Sequence, residues 1–295
     1  PISARYSLRG QFILTSYFTV FSNQEKYLIK GRIGYSKFPL TYYGIGSQTL
    51  TDESVQLSFN RFTVQPLLLR KVAGDLFVGG GFRYNGINSV VLTENAEGQH
   101  VNIPYQDSLG LRSAGVELNV TYDSRKNVLN SREGYFVEFR HGAYRKWMGS
   151  SADFQLTQLD FRKYWPVGEE DALAFQLLLR ATSQETPALE QSALGGAEQM
   201  RGFQEGRFRD RDAFFTQVEY RWQALERLGL VFFTGTGEVS DELGSFSLEN
   251  FKYSLGTGLR IKIVKSENLN IRFDYGLGFG PELENNFYLG IAEAF

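Results

Sequence analysis

From Phe251 to Ile263 the odd-numbered residues are Phe251, Tyr253, Leu255, Thr257, Leu259, Ile261 and Ile263, and the even ones are Lys252, Ser254, Gly256, Gly258, Arg260 and Lys262. Side chains of a β-strand point to opposite faces in turn, so this stretch is a strand with one apolar and one polar side. Leu269 to Phe279 repeats the pattern, with Leu269, Ile271, Phe273, Tyr275, Leu277 and Phe279 set against Asn270, Arg272, Asp274, Gly276 and Gly278. Both runs reach the roughly 9–11 residues a tilted strand needs to cross a bilayer. The same grammar recurs at Ala114–Asp123, Leu76–Asn85 and Tyr27–Tyr35, with further candidates at 54–71, 135–147, 152–165, 171–183, 212–223, 228–239 and 286–295. A chain built this way folds as an all-β antiparallel sheet.

At the start, alternation runs unbroken from Ile2 to Val20. This is either one very long strand or a hairpin turning at Arg9-Gly10. The hairpin gives 14 strands and the single strand 13, and bacterial barrels have even numbers. The reading is therefore about 14 strands, within a range of 12–16, reached through the hairpin or with one further strand lost from the N-terminus. Connections alternate in length. Short turns fall near Ser22–Glu25, Ala73–Asp75, Val167–Asp171 and Leu225–Leu228; long loops fall at Pro39–Glu53, Leu92–Leu111, Ser183–Arg211 and Glu238–Asn250. Short turns on one side and long extracellular loops on the other are the pattern of an outer-membrane barrel. Ser124–Gly134 is too long for its side and Met148–Ser151 too short. No linker or second domain interrupts residues 1–295, which read as a single barrel domain.

Alternation alone does not separate a water-soluble barrel from a membrane one. Three features choose the membrane. The non-apolar face is crowded with charges and glycines, too polar for a packed core. Tyrosines lie near several strand ends of the apolar face, as in interfacial girdles. The chain also closes in a strand, FYLGIAEAF, ending on Phe295. No apolar run approaches the ~20 residues of a membrane helix. The expected location is the outer membrane of a Gram-negative bacterium, with its lipids and lipopolysaccharide as surroundings.

The polar face then lines a lumen. Its basic residues are Arg5, Arg9, Lys30, Arg32, Arg83, Arg140, Arg162, Arg180, Arg221, Lys252, Arg260, Lys262 and Arg272, against the acids Glu117, Asp123, Glu138, Asp160, Glu219 and Asp274. This wall is strongly basic although the whole chain carries a net charge of −2, so a conducting lumen would prefer anions.

One stretch stands outside the strand grammar: Leu194–Asp212, LGGAEQMRGFQEGRFRDRD. It lies in a long loop, 184–211, and connections of that length in compact proteins are functional or disordered. Four arginines (Arg201, Arg207, Arg209, Arg211) mark it as an ordered loop that needs charge partners. LGGAEQMRGF followed by GRFRDRD resembles the sixth extracellular loop of the BamA/TamA-type outer-membrane barrels, the bacterial surface antigen superfamily, which includes two-partner-secretion transporters. The signature Arg-Gly-Phe/Tyr is matched by Arg201, Gly202 and Phe203. TYDSRKNVLNSREGYFVEF, from Thr121, resembles the family's strand-turn-strand, and the last strand, with Phe287 and Phe295, resembles the signal read by the barrel-assembly machinery.

The resemblance implies that the loop folds into the barrel and that its arginine pairs with acids on the strands that follow. A guanidinium there needs carboxylates to offset its desolvation. Glu219 lies where one family acid is expected. Gly235 stands about where the second, an Asp, should be, so either Asp274 or another wall acid substitutes, or the loop is held by fewer contacts. Family members that handle client proteins carry periplasmic POTRA domains. None is read in residues 1–295, so the expectation from a start at Pro1 without Met or a signal peptide is a processed or trimmed chain, or a minimal branch of the superfamily.

The resemblance implies insertion or translocation of protein or lipid, acting through a labile seam between first and last strands, with a protein client or complex partner. The alternatives are a narrow anion-preferring channel and a structural barrel without insertase activity. No enzyme is expected. The two histidines, His100 and His141, have no Ser or Asp spacing that makes a dyad, and Gly256-Thr257-Gly258 lies inside a strand, not at a phosphate loop. The chain has no cysteine, hence no thiolate metal site. No metal or other cofactor is expected, and the near-balanced charge argues against nucleic acid.

Overall fold

The computed structural model describes residues 2–6, 12–22, 24, 26–93, 110–264 and 268–295. The Arg9-Gly10 turn and most of the Leu92–Leu111 loop, with His100, lie outside them. The strands are β1 (Ile2–Tyr6), β2 (Phe12–Phe21), β3 (Tyr27–Tyr42), β4 (Val55–Ala73), β5 (Leu76–Thr93), β6 (Gly110–Asp123), β7 (Gly134–Tyr144), β8 (Phe154–Val167), β9 (Asp171–Thr182), β10 (Ser192–Leu194), β11 (Phe208–Asp210), β12 (Asp212–Leu225), β13 (Leu228–Ser240), β14 (Lys252–Val264), β15 (Leu269–Phe279) and β16 (Leu283–Ile291). Fourteen form one antiparallel sheet in chain order, and β10 and β11 pair separately within the loop between β9 and β12. β1 and β2 pair from Ile2↔Ser16 to Tyr6↔Phe12, so the N-terminal segment is a hairpin.

The sheet curls into a barrel. Lys30 on β3 reaches across to Glu138 on β7 at 2.6 Å. On the long-loop side the Thr51 N–H, between β3 and β4, donates to Glu282, between β15 and β16, at 2.8 Å. The early and late strands of the sheet are thus tied through their loops. Among the described residues, however, no ladder joins β1 to β16.

Outward side chains form an apolar band left uncovered by protein, with Leu14, Ile33, Phe62, Leu118, Phe232 and Leu255 all more than 40% exposed. In water such a surface would drive association; in a bilayer it is the solvated face. Inside, the expectation of a uniformly polar face needs correction. Leu28, Leu67, Leu69 and Phe77 pack together at the short-turn end, and Tyr42, Val55, Leu57, Phe59 and Ile87 at the long-loop end. β4 supplies both clusters, because its inward residues are apolar at the two ends and polar only in the middle.

The last strand also differs from expectation. β16 stops at Ile291, and Ala292, with φ of 67°, turns the chain inward. Phe295 is 6% exposed and packs with Tyr164 and Ala174 of the inner wall. Arg221 donates from Nη2 to the Phe295 carbonyl and from Nη1 to the Ser131 carbonyl, both at 2.9 Å. The Glu293 N–H donates to the Leu129 carbonyl at 3.2 Å. The overlong Ser124–Gly134 turn therefore folds under the barrel and meets the tail across its short-turn mouth. A strand continuing to Phe295 would forfeit these bonds.

Two of the three tryptophans, Trp165 and Trp222, face outward beside short turns, 42% and 45% exposed, while Trp147 sits 83% exposed on the long-loop side. Aromatic belts lie at headgroup level. A Trp147→Phe variant in vesicles is expected to be quenched more by lipids brominated near the headgroup than near the chain ends. Equal fluorescence in brominated and plain lipid would contradict the membrane-facing assignment.

Candidate functional site

Residues 183–211 leave β9, pair with themselves, and return into β12. The β10–β11 ladder, Ser192↔Asp210 to Leu194↔Phe208, closes the base of the loop. Beyond it Leu194, Met200, Phe203 and Phe208 pack on Leu178, Ala213, Phe215 and Val239 of the wall. The short length of β10 and β11 hid them from period-two reading. Burial of this apolar set holds the loop on the inner face and delivers the Arg-Gly-Phe tripeptide to β12–β16.

Arg201 is fully buried. Its Nη2 lies 2.5 Å from Glu219 Oε2 on β12 and its Nη1 2.8 Å from Asp274 Oδ2 on β15. The guanidinium carbon stands 3.6 Å from the centre of the Phe233 ring on β13. Asp274 thus occupies the second acidic place, two strands along from Gly235. Neither carboxylate serves Arg201 alone. Arg221 Nε is 2.7 Å from Glu219 Oε1, Arg260 Nη1 is 2.5 Å from Asp274 Oδ1, and Arg272 Nη1 is 3.4 Å from Asp274 Oδ2. Arg260 also reaches Glu293 at 2.7 Å. Four guanidiniums share three carboxylates, all with nearly buried side chains, where charge-assisted pairs are strong and an unpaired charge is costly.

The tripeptide also binds the terminal strand. The Gly202 N–H donates to the Tyr288 hydroxyl at 2.9 Å, and that hydroxyl donates to the Phe203 carbonyl at 2.6 Å. Asn286 Nδ2 donates to the Gly202 carbonyl at 2.7 Å. Period-two reading puts Asn286 and Tyr288 on the polar face of β16 but says nothing of their partners. Glycine is required at the contact. Gly202 has φ of 122°, and a Cβ there would lie 2.5 Å from the Leu277 carbonyl carbon. A Cβ on Gly276 would lie 2.8 Å from the Gly202 nitrogen, and one on Gly278 2.7 Å from the Phe203 ring. The polar-face glycines of β15 are where the loop backbone lies directly on the wall.

A second buried arginine, Arg207, which the sequence marked only as a loop charge, bridges the two ends of the sheet. Its Nε contacts Glu284 on β16 at 2.5 Å and its Nη2 Glu282 at 3.3 Å. It also donates to the side chain and carbonyl of Thr49, both at 2.9 Å, and stacks between Tyr43 and Phe208. The Thr51 hydrogen bonds and Arg207 together hold the half-exposed Glu282 carboxyl below its usual range.

The other sequence-selected residues disperse. Arg140 pairs with Glu138 at 2.7 Å and Arg162 with Asp160 at 2.6 Å. Arg180 donates to the Glu190 carbonyl at 2.9 Å. Phe287 faces outward, 81% exposed, beside Tyr275. His141 is not at this site; its Nδ1 lies 2.9 Å from Thr157 Oγ1 on the neighbouring strand.

An antiparallel barrel with an apolar outer band, a loop tucked into its lumen, and that loop's arginine paired to wall carboxylates is an integral outer-membrane barrel of Gram-negative type. The family model described as the Omp85 superfamily domain matches residues 110–295, and the chain belongs to the Omp85 superfamily. Its fold is similar to that of BamA from Haemophilus ducreyi lacking POTRA domains 1–3, with 12% identity and a TM-score of 0.61 over 96% of this chain and 62% of that one. It is also similar to CdiB from Acinetobacter baumannii, with 13% identity and a TM-score of 0.55 over 95% of this chain and 49% of that one. The chain thus spans less than two thirds of either structure. No curated protein matches the sequence.

Arg201→Ala is expected to cost about 3 kcal/mol, the low end of what losing one partner of a buried pair costs, because Glu219 and Asp274 each keep another arginine. Gly276→Val is expected to dislodge the same tripeptide by steric overlap. Both variants should melt lower and be cut faster by proteinase K within 183–211. A melt and a digestion pattern equal to wild type would mean the loop does not depend on this contact.

Proposed function

We propose that this barrel inserts or translocates protein or lipid at the outer membrane, working through the seam between β1 and β16. The observation that carries the reading is the edge itself. β1 pairs with β2 and β16 with β15, and among the described residues neither has a second partner. Outward residues of β16 (Leu283, Phe287, Leu289, Ile291) are 67–81% exposed, well above Phe273 and Phe279 on β15, both 45%. An unpaired edge is a template for another strand, and in a bilayer its open N–H and C=O groups are costly until something pairs with them. A client strand or a lipid headgroup entering laterally would meet that need.

In this reading the Arg-Gly-Phe tripeptide is the lock. Arg201, with Glu219 and Asp274, fixes the loop to the wall, while Gly202 and Phe203 hold β16 through Tyr288 and Asn286. The edge strand is thereby kept in place without a second strand partner among the described residues. The ties at Arg207 and Glu282 restrain the long-loop ends of the seam. The alternative, a steady anion-preferring channel, is disfavoured because the loop, docked on β12–β16, takes up part of the lumen.

The chain has no cysteine, so a disulfide across the seam can be introduced cleanly. Cysteine pairs scanned between 2–6 and 286–290 are expected to cross-link in vesicles. The cross-linked barrel should lose its acceleration of the folding of a urea-unfolded eight-stranded outer-membrane barrel into those vesicles, and reductant should restore it. Acceleration that survives cross-linking would remove the seam from the mechanism.

A further inference from the structure

The loop does not fill the lumen evenly. It docks on β12–β16 and leaves a cavity of about 590 Å³ against the strands of the first half, β2–β9. That volume lies within the roughly 300–1,000 Å³ of ligand pockets. Six arginines line it: Arg32, Arg61, Arg83, Arg140 and Arg180 from five strands, and Arg209 from the loop. The carboxylates lining it are Glu190, Glu198 and Glu205.

Glu190 is already committed. It is 2.8 Å from Arg83 and also accepts from Asn85. Burial pushes its carboxyl up, but the Arg83 charge and the Asn85 hydrogen bond outweigh this and hold it below the usual range. Arg140 has Glu138, and Arg180 and Arg209 donate to loop carbonyls, which neutralise no charge. Arg32 and Arg61 have neither kind of partner. Among the described residues no carboxylate is in ion-pair range of them and no loop carbonyl accepts from them; each rests on a ring, Tyr17 for Arg32 and Phe59 for Arg61. The Nε of Arg32, Arg61, Arg140, Arg180 and Arg209 is in each case buried without a hydrogen-bond partner.

Guanidinium stays charged at any relevant pH and presents a planar fork that fits an oxyanion. In a concave site walled by protein and lipid, the field of such charges is focused and weakly screened. Thr63, Gln65, Asn85 and Gln158 line the same wall and add neutral hydrogen-bonding groups. We infer that this chamber is a binding site for a multiply charged oxyanion of the phosphate class, centred on Arg32 and Arg61. The ligand is a free phosphate compound or the phosphate of a lipid headgroup. The inference stands on the chamber and does not require the seam mechanism.

The test is calorimetry on the full chain in neutral detergent, with inorganic pyrophosphate in one arm and short-chain phosphatidic acid in the other. Saturable binding that weakens with added salt is expected in at least one arm. Pyrophosphate alone would identify a free oxyanion, phosphatidic acid alone a headgroup, and both the shared phosphate chemistry. The R32Q/R61Q variant should bind at least about tenfold more weakly, which is about 1.4 kcal/mol. Its melting temperature should stay near wild type, because no ion pair is removed: Glu190, which Arg61 favours only at longer range, keeps Arg83 and Asn85; R61Q alone should show a smaller loss. Absence of binding in both arms, or equal binding by the wild type and both variants, would overturn the inference.

Discussion

A guanidinium held away from water by a barrel wall and its own loop must find negative charge, and Arg201 finds it on two strands at once. Glu219 and Asp274 stand 2.5 Å and 2.8 Å from it. They come from β12 and β15, so one side chain ties the loop to both flanks of the late sheet. Much else follows from seating it there. The wall under the tripeptide must be glycine, because a Cβ on Gly276 or Gly278 would meet the loop backbone or the Phe203 ring. Arg221, Arg260 and Arg272 share the same carboxylates and bring the C-terminal tail into the cluster through Glu293.

This docking makes the barrel asymmetric. The late strands have their arginines paired under the docked loop; on the early strands Arg32 and Arg61 face open volume. β16 lies where these halves meet: among the described residues it pairs with β15 alone, and its Asn286 and Tyr288 carry the loop. The position of β16 and the occupied late half of the lumen thus belong to one arrangement, in which the loop is held by the last strand of the sheet.

The strand scaffold was readable because period two survives wherever one face meets lipid. Leu269–Phe279 and the strands on either side of the loop were located to within a residue or two by that rule. It failed where the inner face is not polar. Arg61 was missed as a lumen charge because β4 turns Leu57, Phe59, Leu67 and Leu69 to the same side, which cancels the contrast. Period two places Phe295 at the end of a strand because apolar residues near a terminus look alike whether they face lipid or fold inward. The length of Ser124–Gly134, anomalous in sequence, was the one sign that the short-turn mouth is covered. Residues 201–203 were legible through resemblance, and Glu219 with them. Asp274 is marked in sequence only as one of several inner-wall acids, and Tyr288 and Asn286 carry no mark at all, since nothing in a local pattern says which loop atom a wall hydroxyl will meet.

The pairing of Arg201 with Asp274 is most directly tested by a double-mutant cycle on thermal or denaturant unfolding in detergent, using Arg201→Ala, Asp274→Ala and the double variant. Two groups in one buried network couple by roughly 0.5–3 kcal/mol, and a value above about 1 kcal/mol is the result expected here. Effects that simply add, within about 0.5 kcal/mol, would mean that the loop arginine and the β15 carboxylate do not hold one another, and the loop would need a different anchor.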